Sequence, residues 1–152
     1  MVNIQGPDKI KIAKDKKVTL FMGGTCNESL WRDDLIKLLD DTKVSWFNPV
    51  VEDWTPECQE EEKRQRKSSD YVLYVITTKM IGVYSIAEVI DDSNKRPDKT
   101  IFCYLKKDGD DKFNKAQKKS LESVKDMVKD NKGEVFDSLK DIADYLNNGK
   151  KE

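Results

Sequence analysis

Short apolar runs alternate with amphipathic segments along most of the chain. The runs are rich in β-branched and aromatic residues and predict buried strands over residues 17–22, 44–47, 70–77, 99–105 and 134–136. Between these runs, apolar residues recur at intervals of three and four, which is typical of helices with one buried face. Strands that alternate with helices predict a parallel sheet covered by helices on both faces.

Five such strand–helix units predict an α/β fold with three layers and a flavodoxin-like (Rossmann-like) five-stranded parallel sheet. A chain of 152 residues is of ordinary size for one domain, and we find no interdomain linker or repeat. We therefore expect a single domain over residues 1–152. Residues 1–15 and 148–152 are expected to be tails, or an extra edge strand in the case of residues 10–13.

Two segments carry helix start signals. Thr25 to Glu28 fits a capping box, which predicts that the first helix begins directly after the first strand. Thr55 followed by Pro56 fits an N-cap with proline at the first helical position. The helix that these two residues open, over residues 57–68, has almost no apolar face. We expect it to lie in solvent, or in a site or interface.

Charge and hydropathy limit the partners. The 28 Lys and Arg residues nearly balance the 29 Asp and Glu residues, so no strong signal for nucleic acid is present. No run approaches the roughly 20 apolar residues of a membrane span. We expect a soluble, cytoplasmic protein with no membrane partner.

The residues available for chemistry are restricted. Histidine is absent, and Cys26, Cys58 and Cys103 are far apart with no Cys-x-x-Cys pair. The usual ligands of zinc and haem are therefore missing, as are the histidine-based catalytic triads. We expect no metal site and no cofactor, and any acid–base work falls to Asp, Glu, Tyr, Cys or Lys.

Glu88 is the most informative position. The apolar strand over residues 70–77 leads through a loop into a short apolar helix with this carboxylate in its middle. Ligands of an open α/β sheet bind where strands end and helices begin, and a charge beside a core is costly unless it is used. Glu88 is a candidate catalytic residue, and a salt-bridged or solvated glutamate is the alternative. Ser85 lies three residues earlier and shares its helix face.

Two more loops are predicted at the same sheet edge. Gly23, Gly24 and Thr25 allow close backbone approach and would offer free N–H groups to an anion or hydroxyl, although such glycines more often serve a turn. In the loop after the second strand, Trp54 beside Asp53 would stack on a base and hydrogen-bond it. A tryptophan that packs the loop onto the domain is an equal alternative.

The order of these motifs resembles the nucleoside 2-deoxyribosyltransferase-like family. The resemblance covers about residues 18–105 and is closest to the bacterial and phage-type branch. It rests on the first strand with Gly23-Gly24-Thr25, on Asn48-Pro49, on Asp53-Trp54-Thr55-Pro56 and on Ser85-x-x-Glu88.

The resemblance implies cleavage or transfer at the N-glycosidic bond of a nucleoside or nucleotide, with Glu88 as the nucleophile of a covalent glycosyl-enzyme. It also implies that Glu62 helps hold the base, although Glu62 lies in a charged run typical of a solvated face. The family has a tyrosine where Phe21 stands and an aspartate where Gly82 stands. A homo-oligomer is implied as well, and small-molecule substrates are its expected partners.

Alternatives remain at this stage. Thr25, Arg32 and Ser85 keep a 5′-phosphorylated substrate open. An NAD-type glycohydrolase would use a glutamate for the same ribosyl chemistry. A non-catalytic nucleotide-binding or interaction protein would keep the fold and use its charged segments as a partner surface.

Overall fold

The computed structural model describes residues 17–26 and 28–148. The tail predicted over residues 1–15, the edge strand predicted at residues 10–13 and residues 149–152 lie outside the described residues. Asn148, which was predicted to begin the C-terminal tail, is the last residue of the final helix.

The strands and helices follow the predicted alternation. In chain order the described residues form β1 (Val18–Gly24), α1 (Trp31–Leu38), β2 (Val44–Phe47), α2 (Pro56–Ser68), β3 (Tyr71–Ile76), α3 (Tyr84–Lys95), β4 (Thr100–Tyr104), β5 (Lys107–Asp108), β6 (Asp111–Lys112), α4 (Lys115–Asp130), β7 (Glu134–Phe136) and α5 (Leu139–Asn148). A single 3₁₀ turn over Pro97–Lys99 precedes β4.

Five strands form one sheet in the order β2-β1-β3-β4-β7, and every neighbouring pair is parallel. This is the flavodoxin-like order, in which the chain reverses its direction of progress between β1 and β3. The prediction of a three-layer α/β fold with a five-stranded parallel sheet is therefore confirmed. The carboxyl ends of β2, β1 and β3 lie side by side, and the loops that follow them meet at one edge.

Alternate residues of each central strand point to opposite faces of the sheet, and each face has its own core. Leu20 and Leu73 pack on the face covered by α1 and α5, with Leu35 and Ile142 of those helices. Phe21, Tyr74 and Phe102 pack on the face covered by α3 and α4, with Val89 and Leu121 among the helical residues. Both faces are buried, which explains the nearly continuous apolar runs.

The start of α1 corrects one prediction. This helix begins at Trp31 with no side-chain cap, so the capping box predicted at Thr25 to Glu28 is wrong. The Thr25 hydroxyl instead accepts the backbone N–H of Thr77 at 2.9 Å. Its carbonyl oxygen accepts the Trp31 indole N–H at 2.7 Å. Thr25 thus links the end of β1 to the end of β3, and its hydroxyl is engaged there rather than at a helix start.

A two-stranded hairpin of β5 and β6 was not predicted, because its residues are charged and show no apolar alternation. It turns at Gly109, whose φ of 65° lies in the left-handed region. The Ser29 hydroxyl donates to the Asp108 carboxylate at 2.6 Å, and the Lys79 ammonium donates to Asp111 at 3.1 Å. These bonds attach the hairpin to the loops at the carboxyl edge of the sheet.

Helix α2 begins as predicted. Pro56 is its first residue, and the Thr55 hydroxyl accepts the backbone N–H of Cys58 at 3.3 Å. All of its residues are described, and none of them is buried. Within the described chain, no helix is long and apolar enough to cross a membrane.

Candidate active site

A cavity of about 280 Å³ opens at the carboxyl edge of the sheet, beside the point where the chain reverses direction. The end of β1, the loop after β2, helix α2 and the first turns of α3 form its walls. Seven of the residues predicted for the site line this cavity together: Phe21, Gly23, Gly24, Trp54, Glu62, Ser85 and Glu88.

The other predicted residues do not line it. Thr25 is buried and its hydroxyl is engaged with β3, as described above. The Asn48 side chain is exposed and accepts the backbone N–H of Val50 at 3.0 Å, which shapes the turn after β2. Asp53 and Gly82 are exposed in their loops. These loop positions depend on turn geometry, which residue type alone does not determine.

Several lining residues were not among those predicted for the site. Cys26 follows β1, and Pro49, Val50 and Val51 form the wall next to Trp54. Small apolar loop residues are common on any surface, so only their placement marks them. The Trp54 side chain remains 57% exposed and stands at the mouth of the cavity.

Arg32 supplies a buried positive charge to the cavity wall. Its Nε donates to the Met22 carbonyl at 3.0 Å, and its two terminal nitrogens donate to the carbonyls of Thr25 and Gly24 at 2.7 and 3.3 Å. Burial lowers the pKa of Arg32 to about 10, so the guanidinium stays charged at neutral pH. It holds the end of β1 in place and gives the cavity a cationic side.

Glu88 lies in the first half of α3, with its side chain only 12% exposed. Burial raises the pKa of Glu88 to about 7. The positive charge of Arg66 opposes that rise, and the negative charges of Glu62 and Asp92 add to it. A glutamate with such a pKa is well suited to acid, base or nucleophilic chemistry near neutral pH.

Glu62 faces the same cavity from α2. Burial raises the pKa of Glu62 as well, and the Arg66 charge opposes this rise. The cavity therefore holds two carboxylates whose ionisations influence each other, with Arg66 as the cation that acts on both.

Arg66 lies next to Glu88 and was not predicted from the sequence. Its Nε donates to Asp92 at 3.1 Å, and one terminal nitrogen donates to Asp91 and to Asp92, both at 3.1 Å. The other terminal nitrogen lies 3.6 Å from the Glu88 carboxylate. Arg66 follows Glu62 by one helical turn, so the spacing of four was the available signal, but the surrounding charges made it look like a solvated face.

At pH 8, replacing Glu88 by glutamine is expected to stabilise the fold by about 3 kcal/mol. The carboxyl ionises near pH 4.5 in an unfolded chain and near pH 7 in the folded one, so the folded state binds more protons between these values. Stability that the protonated group contributes below pH 4.5 is lost as the pH rises through 7, whereas an amide does not titrate. Thermal unfolding of both proteins at pH 5 and pH 8 measures this difference, and identical pH dependence would contradict it.

Among the described residues, no group of three or more Cys, Asp and Glu side chains is arranged to hold a metal ion. The lining of the cavity offers two carboxylates, the guanidinium of Arg32, a serine hydroxyl and aromatic rings, and the guanidinium of Arg66 lies next to one of the carboxylates, that of Glu88.

Comparison with known proteins gives one family match. No curated protein matches the chain. The family described as nucleoside 2-deoxyribosyltransferase like matches residues 17–106, which is more than half of the chain. The match includes β1 to β4 and every residue that lines the cavity. It points to chemistry at the N-glycosidic bond of nucleosides. The chain belongs to the nucleoside 2-deoxyribosyltransferase-like family.

Proposed function

We propose that this protein cleaves or transfers the N-glycosidic bond of a deoxynucleoside, nucleoside or nucleotide, with Glu88 as the nucleophile. The observation that carries the proposal is the placement of Glu88, a largely buried carboxylate, in one cavity with aromatic rings of Phe21 and Trp54. Such a cavity offers a flat base a surface to stack on and offers the sugar a carboxylate. The family membership supports this assignment.

In the first step, a Glu88 carboxylate oxygen attacks C1′ of the sugar. The bond from C1′ to the base nitrogen breaks, and its electron pair goes to the base, which takes up a proton. Positive charge develops at C1′ in an oxocarbenium-like transition state, and the carboxylate stabilises it before the ester bond forms. The product of this step is a glycosyl ester of Glu88.

In the second step, a nitrogen of another base or the oxygen of water attacks C1′. The ester bond breaks, and Glu88 leaves as a carboxylate. The attacking atom gives up a proton to the group that protonated the first base, so the enzyme returns to its starting state. An acceptor base makes the reaction a transfer and water makes it a hydrolysis, and exclusion of water from the cavity determines which of the two dominates.

The other lining residues have roles in this scheme. Glu62 holds or protonates the departing base, because burial favours the protonated form of its carboxyl group. Trp54 stacks on the base at the mouth of the cavity, and Phe21 forms part of the cavity wall. Arg32 and Ser85 are the groups available to a 5′-hydroxyl or 5′-phosphate.

The size of the cavity fits a substrate of this class. A volume of about 280 Å³ lies near the lower end of the ~300–1,000 Å³ range of small-molecule pockets. It is suited to a single nucleoside or nucleotide. The homo-oligomer that the family resemblance implies stays a prediction.

Release of free base from a panel of substrates tests the function. Deoxynucleosides, ribonucleosides, their 5′-monophosphates and NAD are each incubated with the protein, with and without an acceptor base, and the products are separated by chromatography. We expect base release or base exchange from at least one nucleoside or nucleotide. Release from NAD alone would assign a glycohydrolase instead, and no release from any compound by the folded protein would contradict the proposal.

A further inference from the structure

Arg66 differs from the rest of α2 in the way it meets the domain. Its side chain is only 11% exposed, whereas the neighbouring arginine of the same helix, Arg64, is 66% exposed. The guanidinium leaves α2, reaches α3 and contacts three carboxylates there, those of Glu88, Asp91 and Asp92.

The three contacts are not equivalent. The guanidinium donates hydrogen bonds of 3.1 Å to Asp91 and Asp92, and two of its nitrogens bond to Asp92. Its remaining terminal nitrogen lies 3.6 Å from Glu88, which is beyond the usual hydrogen-bond distance. Glu88 therefore lies next to a full positive charge without accepting a hydrogen bond from it.

Asp92 holds the Arg66 guanidinium in this position. Its side chain is fully buried and accepts a hydrogen bond of 2.5 Å from the Tyr74 hydroxyl of β3. It also forms an ion pair with Arg96 at the end of α3. A buried carboxylate with this many donors has one available geometry, so the guanidinium that bonds to it is held in one orientation.

Whether a carboxylate accepts hydrogen bonds from a neighbouring cation affects how well it acts as a nucleophile. A carboxylate in a bidentate pair with arginine has its lone pairs engaged with donors, whereas a buried carboxylate with no cation nearby is protonated at neutral pH. A cation held close, but bonded elsewhere, favours the ionised form and leaves the carboxylate oxygens free to attack.

We propose that Arg66 is a positioning residue for Glu88: anchored on Asp91 and Asp92, it favours the ionised form of the Glu88 carboxyl group and leaves its oxygens free of hydrogen bonds to the guanidinium. This inference rests on the proposed function. It goes beyond that function because it assigns to a residue of α2, outside the substrate contacts, the control of the pH range in which Glu88 acts.

Other charged and titratable groups lie near Glu88. On α2 they are Glu62 and Arg66, on α3 Asp91 and Asp92, on β3 Tyr74, and across the cavity Arg32 and Cys26. Among the groups that act directly on the ionisation of Glu88, Arg66 is the cation and the others are acidic. Removal of its charge is therefore expected to shift the ionisation of Glu88 in one direction only.

The first test measures the ionisation of Glu88 without using activity. In protein labelled with ¹³C at the glutamate carboxyl groups, the Glu88 resonance is assigned by its loss in Glu88→Gln and followed by NMR as the pH changes. We expect Arg66→Gln to raise the pKa of Glu88 by about one unit or more. Arg64→Gln, a matched change of an exposed arginine on the same helix, is expected to leave the pKa unchanged. An unchanged pKa in Arg66→Gln would overturn the proposal.

The second test uses the rate of base release. In Arg66→Gln the acid limb of the kcat profile is expected to move to higher pH by the same amount, with the rate recovering above it. Arg66→Lys keeps the charge but lacks the guanidinium's fork of donors, so we expect the pKa of Glu88 to stay within about half a unit while kcat falls about tenfold, with KM within twofold of that of the wild-type protein. Equal kcat values for Arg66→Lys and wild type would overturn the positioning role.

The two tests keep the two hypotheses apart. If wild-type protein releases no base from any substrate, the proposed function fails, and the NMR titration still decides whether Arg66 controls Glu88. If Arg66→Gln unfolds because Asp92 loses a partner, the kcat and KM of Arg66→Lys decide the positioning role. In Arg66→Gln, which removes the charge, a rate that falls equally at every pH with no shift of the Glu88 titration would reduce Arg66 to a structural residue and overturn the proposal.

Discussion

Replacing Glu88 by glutamine is expected to lower the rate of base release by more than about 1,000-fold, which corresponds to at least ~4 kcal/mol of transition-state stabilisation. The amide has nearly the same shape, so substrate binding in the cavity is expected to persist. It carries no negative charge to meet the developing charge at C1′, and its nitrogen and oxygen are poor nucleophiles for an acetal-like carbon. The measurement is kcat for the best substrate of the panel, together with binding by calorimetry.

A matched control is available on α2. Glu60→Gln removes an exposed carboxylate that is paired with Lys63 at the helix surface, and it is expected to leave kcat within about twofold. Acid-quenched wild-type reactions are expected to contain protein heavier by one glycosyl group, and Glu88→Gln reactions are not. A Glu88→Gln protein with normal turnover would rule out Glu88 as the nucleophile.

The second large effect concerns the end of β1. Gly24→Ala is expected to destabilise the protein by about 3 kcal/mol or more, enough to lower its melting temperature by roughly 10 °C. Gly24 has a φ of +117°, which a residue with a Cβ rarely adopts. A Cβ built there would lie 2.0 Å from the carbonyl oxygen of Val75, the residue paired with Gly24 between β1 and β3. The backbone of the central strands would have to move to accept it.

Gly82 provides the control for this change. A Cβ at Gly82 meets no atom within 4 Å, and the residue is exposed in the loop before α3. Gly82→Ala is therefore expected to change the free energy of unfolding by less than about 0.5 kcal/mol. Chemical denaturation of the two variants compares a glycine that the fold requires with one that it tolerates, and equal stability of the two would contradict this account of β1.

The sheet could be predicted from the sequence because both of its faces are covered. A parallel strand between two helical layers must be apolar over its whole length, and β1, β3 and β4 have this pattern. The short strand β2 was found between a helix and the Asn48-Pro49 break. Helix α2 could be predicted from its start signals, which are local in sequence. The Thr55 hydroxyl accepts a backbone N–H of the first turn, and Pro56 has no N–H that needs a partner.

The start of α1 could not be predicted in the same way. The capping box at Thr25 is a local pattern, but the Thr25 hydroxyl has a competing partner in the Thr77 N–H, which lies 52 residues away in sequence. The carbonyl groups at the end of β1 then find their donors in Trp31 and Arg32. The long-range hydrogen bond between Thr25 and Thr77, which joins the ends of β1 and β3, outweighs a cap whose benefit is about 1 kcal/mol.

The candidate site also combines residues that local sequence reveals with residues that only long-range contacts bring into place. Glu88 stands out because a carboxylate in an apolar helix is unusual, and Ser85 follows from helical spacing. Arg66 did not stand out, because one arginine in a run of charges has no local feature that distinguishes it from Arg64. Its role depends on the distance between α2 and α3, which only the folded chain determines. Asn48, Asp53 and Gly82 failed to reach the cavity for a related reason, since loop direction is determined by tertiary contacts.

Helix α2, whose residues are all described, contributes no residue to either core, and this bears on how the site can change over evolutionary time. Core positions of the sheet tolerate few substitutions, because each one disturbs packing on both faces. Helix α2 contributes a wall to the cavity while contributing little to that packing. Apart from Arg66, which is anchored on the buried Asp92, substitutions along it alter the cavity wall at small cost in folding free energy. If the protein acts as proposed, its base preference is therefore free to diverge through α2, while Glu88 on α3 keeps the reaction the same.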